Sequence, residues 1–313
     1  MKWEKTCDER EMKLKVSLLS VLFVFCGVPL ACACTGFAVY GEQVVYGMNF
    51  DYFAVPLKFL IESRGGMSVF HLAFLYEKTQ NDPMFRDYFA KTCGMNEKGL
   101  FCSCQEVEPY VTGIESLGEG EAYIGDQYDT LGSCSRVAEV RHLIPSKRWV
   151  QFTGPSVHNL FADVDGHAMV TETDNREHVI TEMDGDFLVM ANFSNHAMDR
   201  KPLAEVVGAG AERYRRVHAY LAEHKHDFGV SRGFDLLRQT VCDDPGCNTL
   251  CSMVCLPREK TIYLTTDPEM EKIWKVSLGR NLMETERGFD RYICHSLGAE
   301  GILASELESV SGA

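Results

Sequence analysis

The sequence predicts an α+β domain in which two antiparallel sheets stack between layers of helix. Three observations predict it. Runs of β-branched and aromatic residues are joined by short Gly-Gly and Asp-Gly turns, the local signature of hairpins. The elements follow one another as strands, helix, strands, helices, strands, without the βαβ alternation that a parallel sheet requires. The chain has 313 residues, 45% hydrophobic and 11% aromatic, which suffices to bury a full core in one large domain or two small ones.

The first hairpin joins residues 34–40 to 44–50 across a Gly41-Glu42 turn, and it returns Asp51 to the side of Cys34. A second joins 58–63 to 67–73 around Arg64-Gly65-Gly66, where the glycines supply the positive φ of a tight turn. Residues 93–100 read as a turn with glycine near each end that feeds the strand 100–102, and residues 113–132 read as a surface stretch. Val137, Val140, Leu143 and Ile144 recur at helical spacing within 133–144, just ahead of Pro145. A meander follows from 158 to 191, with turns at Asp163 to Gly166 and at Asp184-Gly185. Residues 205–224 and 231–241 read as helices, and 253–256 and 261–265 as strands. Beyond Gly279 the tail is polar and shows no period.

Ahead of the first hairpin, Lys13 and Lys15 precede an apolar run from Val16 to Leu30 that ends in Ala31-Cys32-Ala33. This order of basic, apolar and small residues is that of a secretory signal peptide over residues 1–33, and the run is short for a membrane span. The residues before Met12 are polar and acidic, which makes Met12 an alternative start. A retained anchor and a lipoprotein anchor through Cys32 are competing readings; Pro29 stands where the latter wants an aliphatic residue. A cut after Ala33 leaves one domain over 34–313, with no membrane span, secreted or held in the periplasm or cell envelope. Cys34 then carries a thiol and a free α-amine, and the amine can serve as the thiol's own base.

The net charge is -14 and no Lys/Arg cluster suffices to neutralise phosphates, which argues against nucleic acid or an anionic membrane as partner and for a small-molecule substrate. Of 13 cysteines, Cys7, Cys26 and Cys32 leave with the leader, and export permits disulfides whose connectivity the spacing does not define. The densest group, Cys242, Cys247, Cys251 and Cys255, lacks paired C-x-x-C knuckles, and His196, His218, His224 and His226 lack a ligand spacing. No metal and no cofactor are expected.

Three motifs resemble a known family: Cys34-Thr35-Gly36 behind a cleavage site, Gly47-Met48-Asn49-Phe50-Asp51-Tyr52 on the returning strand, and Gly94-Met95-Asn96-Glu97-Lys98-Gly99-Leu100. They are similar to those of the choloylglycine hydrolases and penicillin V acylases, linear-amide hydrolases of the N-terminal-nucleophile superfamily. The resemblance runs from Cys34 to about Thr266 and implies a four-layer αββα sandwich. It implies that Cys34 is the nucleophile, that Asp51 holds the α-amine and that Arg213 orients the site. The Asn192 side chain and a backbone N–H near Glu106 would form the oxyanion hole. The implied reaction is hydrolysis, through a thioester, of a linear amide such as a conjugated bile salt, penicillin V or a fatty-acyl amide.

Two positions depart from the family pattern: Met48 replaces an arginine, and Glu106 replaces an asparagine or tyrosine. The segment between Asn192 and Arg213 is also shorter than in bile salt hydrolases, where it carries tetramer contacts, so an oligomer is neither required nor excluded. Two other functions share these residues: an acyltransferase that opens the same thioester with an amine, and a secreted binding protein with a degraded site. Each residue also has an ordinary reading. Asp51 could cap a turn, Asn192 begins the sequon Asn192-Phe193-Ser194, and Arg213 lies beside Arg215 and Arg216 on a charged helix.

Overall fold

A computed structural model of the chain describes residues 34–75, 88–244 and 246–311. In chain order the strands are β1 (Thr35–Tyr40), β2 (Val44–Tyr52), β3 (Leu57–Arg64), β4 (Met67–Leu75), β5 (Phe89–Asn96), β6 (Phe101–Glu106), β7 (Glu121–Tyr123), β8 (Arg148–Val150), β9 (Val157–Ala162) and β10 (Ala168–Thr173). They continue as β11 (His178–Glu182), β12 (Phe187–Met190), β13 (Asp243–Asp244), β14 (Cys247–Leu256), β15 (Thr261–Thr265), β16 (Ile273–Ser277), β17 (Leu282–Arg287), β18 (Cys294–Ser296) and β19 (Ile302–Leu303). The helices are α1 (Val137–Leu143), α2 (Asn195–Met198), α3 (Ala211–His224), α4 (Val230–Arg238) and α5 (Ala304–Ser311).

Two antiparallel sheets result. The first has the order β12-β1-β2-β14-β15-β16-β17-β18, with β13 on β14; the second has the order β11-β10-β9-β6-β5-β4-β3-β19. The first hairpin pairs Gly36 with Met48 and Tyr40 with Val44, as the sequence predicts.

Strand β2 shows why the sheets stack. Val44, Tyr46, Met48 and Phe50 point into the core between the sheets, where they meet Phe59, Phe70, Phe101 and Leu160. On the other face Val45 joins Phe37, Val39, Val217 and Phe234 beneath α3 and α4. Covered on both sides, the strand is apolar from Val44 to Met48 instead of alternating, and its polar residues Asn49 and Asp51 are buried as well. The outer face of the second sheet is covered by α1 and a 3-10 segment, Ile124–Gly132, through Tyr128, Leu131 and Val140. The four layers are therefore helix, sheet, sheet, helix.

Gly47 is where β2 lets a neighbour come close. A Cβ there would stand 2.3 Å from the Phe37 Cζ, on the ring that β1 lays across it in register. Gly47→Ala is therefore expected to cost about 1–3 kcal/mol by overpacking and to lower Tm by roughly 3–10 °C, readable by thermal melting.

The structure corrects the sequence reading in four places. Residues 93–96 belong to β5, and only the residues after Asn96 turn, with Gly99 at φ 84; Gly94 is kept small by the Tyr128 hydroxyl and the Phe70 carbonyl rather than by a turn. The supposed surface stretch 113–132 ends in the 3-10 segment, which buries Ile124, Tyr128 and Leu131. The helix expected from 205 begins at Ala211, after Gly210 at φ 75. The tail without a period holds β17, β18, β19 and α5, and β16 precedes it. These strands are short and lie toward the sheet edges, where one face remains wet and few positions are apolar.

Candidate active site

The hairpin between β1 and β2 puts the Cys34 thiol against the Asp51 backbone. Cys34 Sγ is buried, accepts from the Asp51 N–H at 3.4 Å and lies 3.5 Å from the Asp51 carbonyl, to which it donates. The Asp51 side chain is also fully buried. Its Oδ2 stands 3.6 Å from Arg213 Nη1 in the first turn of α3, and its Oδ1 accepts from Thr249 Oγ1 at 2.5 Å. Thr249 is the register partner of Asp51 across β2 and β14, beside an irregularity between Thr249 and Cys251. Its hydroxyl in turn accepts from the Cys242 N–H at 2.8 Å.

Asn192 follows the end of β12, the strand beside β1. Its Nδ2 donates to the Glu106 carbonyl at 2.8 Å, and its own carbonyl accepts from the Glu108 N–H at 2.7 Å. These bonds tie the end of the first sheet to the end of β6 in the second. Val107 N–H goes to Ser156 on the β9 side, so strand alternation turns the Glu106 N–H the other way. The Glu106 carboxylate accepts from the Tyr110 hydroxyl at 2.9 Å.

Cys34, Asp51, Asn192, Arg213 and Glu106, taken from five separate parts of the sequence, thus lie around one place. Met48 sits beside it, fully buried between the sheets, where the Ser103 hydroxyl approaches its Sδ at 3.7 Å. That position supplies no charge. Two residues emerge here that the sequence reading passed over. Thr249 carries no local signal, because its partner Asp51 is 198 positions away. Gln105 lies over Gly36, where a Cβ would stand 2.8 Å from its Nε2, so the glycine of Cys-Thr-Gly makes room for that amide.

Burial pushes the Cys34 thiol well above its ordinary pKa, and the Asp51 carboxylate pushes it further; the Asp51 N–H pulls it back, Glu106 raises it again, and Arg213 lowers it. A neutral thiol is therefore stable here, and ionising it requires a base at the site.

A cavity of about 810 Å³ opens at Cys34, Asp51 and Glu106, and Phe50, Tyr52, Phe74 and Phe152 line it beside them. Its size suits a small organic molecule. Among the described residues no group of three or more His, Cys, Asp or Glu could hold a metal ion. The four-cysteine group divides: Cys251 and Cys255 pack in the core between the sheets, while the Cys242 and Cys247 sulfurs lie 3.4 Å apart beside β13 and β14. No described helix is long and apolar enough to cross a membrane.

No family model matches the chain, and no curated protein does. Solved structures do. A cysteine-to-alanine mutant of conjugated bile acid hydrolase from Clostridium perfringens superposes with TM-score 0.59 at 16% identity, over 84% of this chain and 96% of that one. An arginine-to-leucine variant of the same enzyme gives TM-score 0.61 at 15% identity, over 85% and 97%. Penicillin V acylase from Agrobacterium tumefaciens gives TM-score 0.57 at 16% identity, over 80% and 90%. The fold of this chain is therefore an αββα sandwich, shared with these bile acid hydrolase and penicillin V acylase structures.

Proposed function

We propose that the chain is an N-terminal-cysteine amidase that hydrolyses a linear carbon–nitrogen bond of a small N-acyl amide. The observation that carries this reading is the convergence of the Cys34 thiol and the Arg213-held Asp51 on one aromatic cavity, with the Asn192 amide bonded to the carbonyl of Glu106, which lines it. The fold shared with the two amide hydrolases supports it. Removal of residues 1–33 on export would create the catalytic α-amine, so that secretion and activation are one event.

In this mechanism the α-amine of Cys34, directly or through one water, takes the thiol proton as sulfur attacks the amide carbonyl. Asp51 holds the resulting ammonium. The second N–H of the Asn192 amide and the Glu106 backbone N–H stabilise the oxyanion, at about 3–4 kcal/mol per well-aimed donor. Collapse breaks the carbon–nitrogen bond, the ammonium returns its proton to the leaving amine, and a thioester remains. Water, deprotonated by the same α-amine, opens it to the free acid and regenerates the thiol.

The test compares two chains, one beginning at Cys34 and one keeping a single residue ahead of it. Each is assayed for amine release from glycine- and taurine-conjugated bile salts, penicillin V and long-chain N-acyl amino compounds. Hydrolysis by the first alone is expected; equal activity in both would refute the role of the α-amine, and none in either would refute the amidase. Added amine acceptors show whether transfer competes with water. N-terminal sequencing of exported protein checks the cut before Cys34.

Thr249 enters the same reading as a positioning residue. Thr249→Val removes the hydroxyl that fixes Asp51 while keeping the side-chain shape, and is expected to lower kcat/KM about tenfold; Thr249→Ser is expected to restore most of it. Steady-state kinetics of both variants check this.

A further inference from the structure

The wall of the cavity away from Cys34 carries an ion pair that the proposed chemistry does not use. Lys91 on β5 donates to Glu62 Oε1 on β3, and both residues line the cavity. His71 on the intervening β4 places Nε2 3.2 Å from the same oxygen, and its Nδ1 lies 2.7 Å from the Tyr128 hydroxyl. The pair therefore lies over β4, two strands from β6. At the usual strand spacing that is about 10 Å from the strand that ends at Glu106. Thr92, next to Lys91, donates its hydroxyl to the Cys104 carbonyl at 2.8 Å, which sets the pair level with the Glu106 end of β6.

Side chains of Lys91 and Glu62 are only 26% and 23% exposed, and holding charges in such a wall is costly unless their remaining hydrogen-bonding capacity is used. Lys91 has three donors and gives one to Glu62. Both Lys91 and His71 crowd Oε1 of Glu62, leaving Oε2 as an acceptor. Burial, with Lys91 adding to it, takes His71 down to about 3, so the histidine stays neutral and the pair is balanced, one cation to one anion. The next pair along the wall, Arg64 with Asp129 at 2.7 Å, is balanced as a pair, with the Asp126 carboxylate lining the cavity near it. A charged ligand group would upset either pair, whereas a hydroxyl can accept from Lys91 and donate to Glu62.

We propose that the Lys91–Glu62 pair reads an uncharged hydrogen-bonding group at the far end of the acyl chain. The substrates are then amides of apolar acids whose distal hydroxyl or carbonyl reaches across β5 to β4, about 10 Å from the strand that ends at Glu106. Phe74 and Phe89 line the same cavity and suit an apolar acyl body. This inference rests on the amidase reading.

The experiment uses coumarin amides of 4-phenylbutanoic acid and of its 4-hydroxyphenyl, 4-carboxyphenyl and 4-(aminomethyl)phenyl analogues. They are assayed on the chain beginning at Cys34, on Lys91→Met, and on Lys91→Met/Glu62→Met, which leaves no unpaired charge and reads the site even if the single variant misfolds. Binding of the four free acids to the corresponding Cys34→Ala proteins is measured by calorimetry in parallel. The unmodified chain is expected to prefer the hydroxyl over the unsubstituted compound about tenfold in kcat/KM and in affinity. It is also expected to disfavour both charged analogues. The double variant should lose the preference while hydrolysing the unsubstituted amide at the original rate. Hydrolysis with equal ratios in the unmodified chain and the double variant overturns this inference alone. No hydrolysis, with hydroxyl-dependent acid binding that the double variant loses, overturns the amidase and retains the inference; absence of both overturns both.

Discussion

Cys34→Ala is expected to lower amide hydrolysis by at least a factor of roughly 1,000 while the protein still folds. The sulfur is the only atom at this position that can form the thioester, and neither Asp51 nor Asn192 can replace it as a nucleophile. The structural loss is small: the thiol touches one backbone amide and one carbonyl of Asp51, and truncating it costs on the order of 1 kcal/mol. Amine release per unit of folded protein, with Tm measured alongside, separates the two effects. Cys34→Ser keeps a hydroxyl at the same place but offers a far less acidic nucleophile, and less than about 1% of the activity is expected from it. An alanine variant that keeps a tenth of the original activity would end the nucleophile assignment. The binding-protein alternative makes the opposite prediction, since the unaltered chain would then resist a thiol-directed acyl probe at Cys34.

Asp51→Asn is expected to be the second largest loss, about 100- to 1,000-fold in kcat/KM, and to change the pH profile in a defined direction. A free α-amine ordinarily titrates at about 7.7–8.0, and a buried carboxylate beside it favours the ammonium, raising that pKa. The amine must be neutral to take the thiol proton, so activity rises with pH through the raised value. Removing the carboxylate lowers the amine pKa and moves the acid limb to lower pH even as the maximum falls. Thr249 can still donate to the amide oxygen of an asparagine, which isolates the loss of charge from the loss of shape. Arg213, only 15% exposed, would lose its counter-charge, so stability is measured in parallel. A variant with its acid limb unmoved would show that Asp51 does not act on the amine.

Much of this site was legible from residues alone. The hairpin brings Asp51 back to Cys34 by local strand pairing, and its apolar runs and tight turn are written within fewer than twenty positions. The Asn192 and Arg213 positions were found only through resemblance of motif, because a polar residue at a strand end and an arginine on a charged helix are ordinary by themselves. Thr249, Gln105 and the Lys91–Glu62 pair were not legible at all. Each acts across strands whose adjacency depends on which hairpins stack beside which.

Local physical chemistry in the sequence determined the hairpins β1–β2 and β3–β4, the meander from β9 to β12 with its turns, and the pairing of Cys34 with Asp51, since alternation, β-branching and turn residues act between near neighbours. Tertiary structure decided what surrounds them: that β14 lies against β2 and brings Thr249 to Asp51, and that β6 ends beside Asn192. It also decided that β3 and β5 flank β4, so that one cavity holds a thiol at one end and a balanced ion pair on its wall. Those contacts join residues 86 and 198 positions apart, and they are selected by the summed burial of two whole sheets, which no single stretch of sequence encodes.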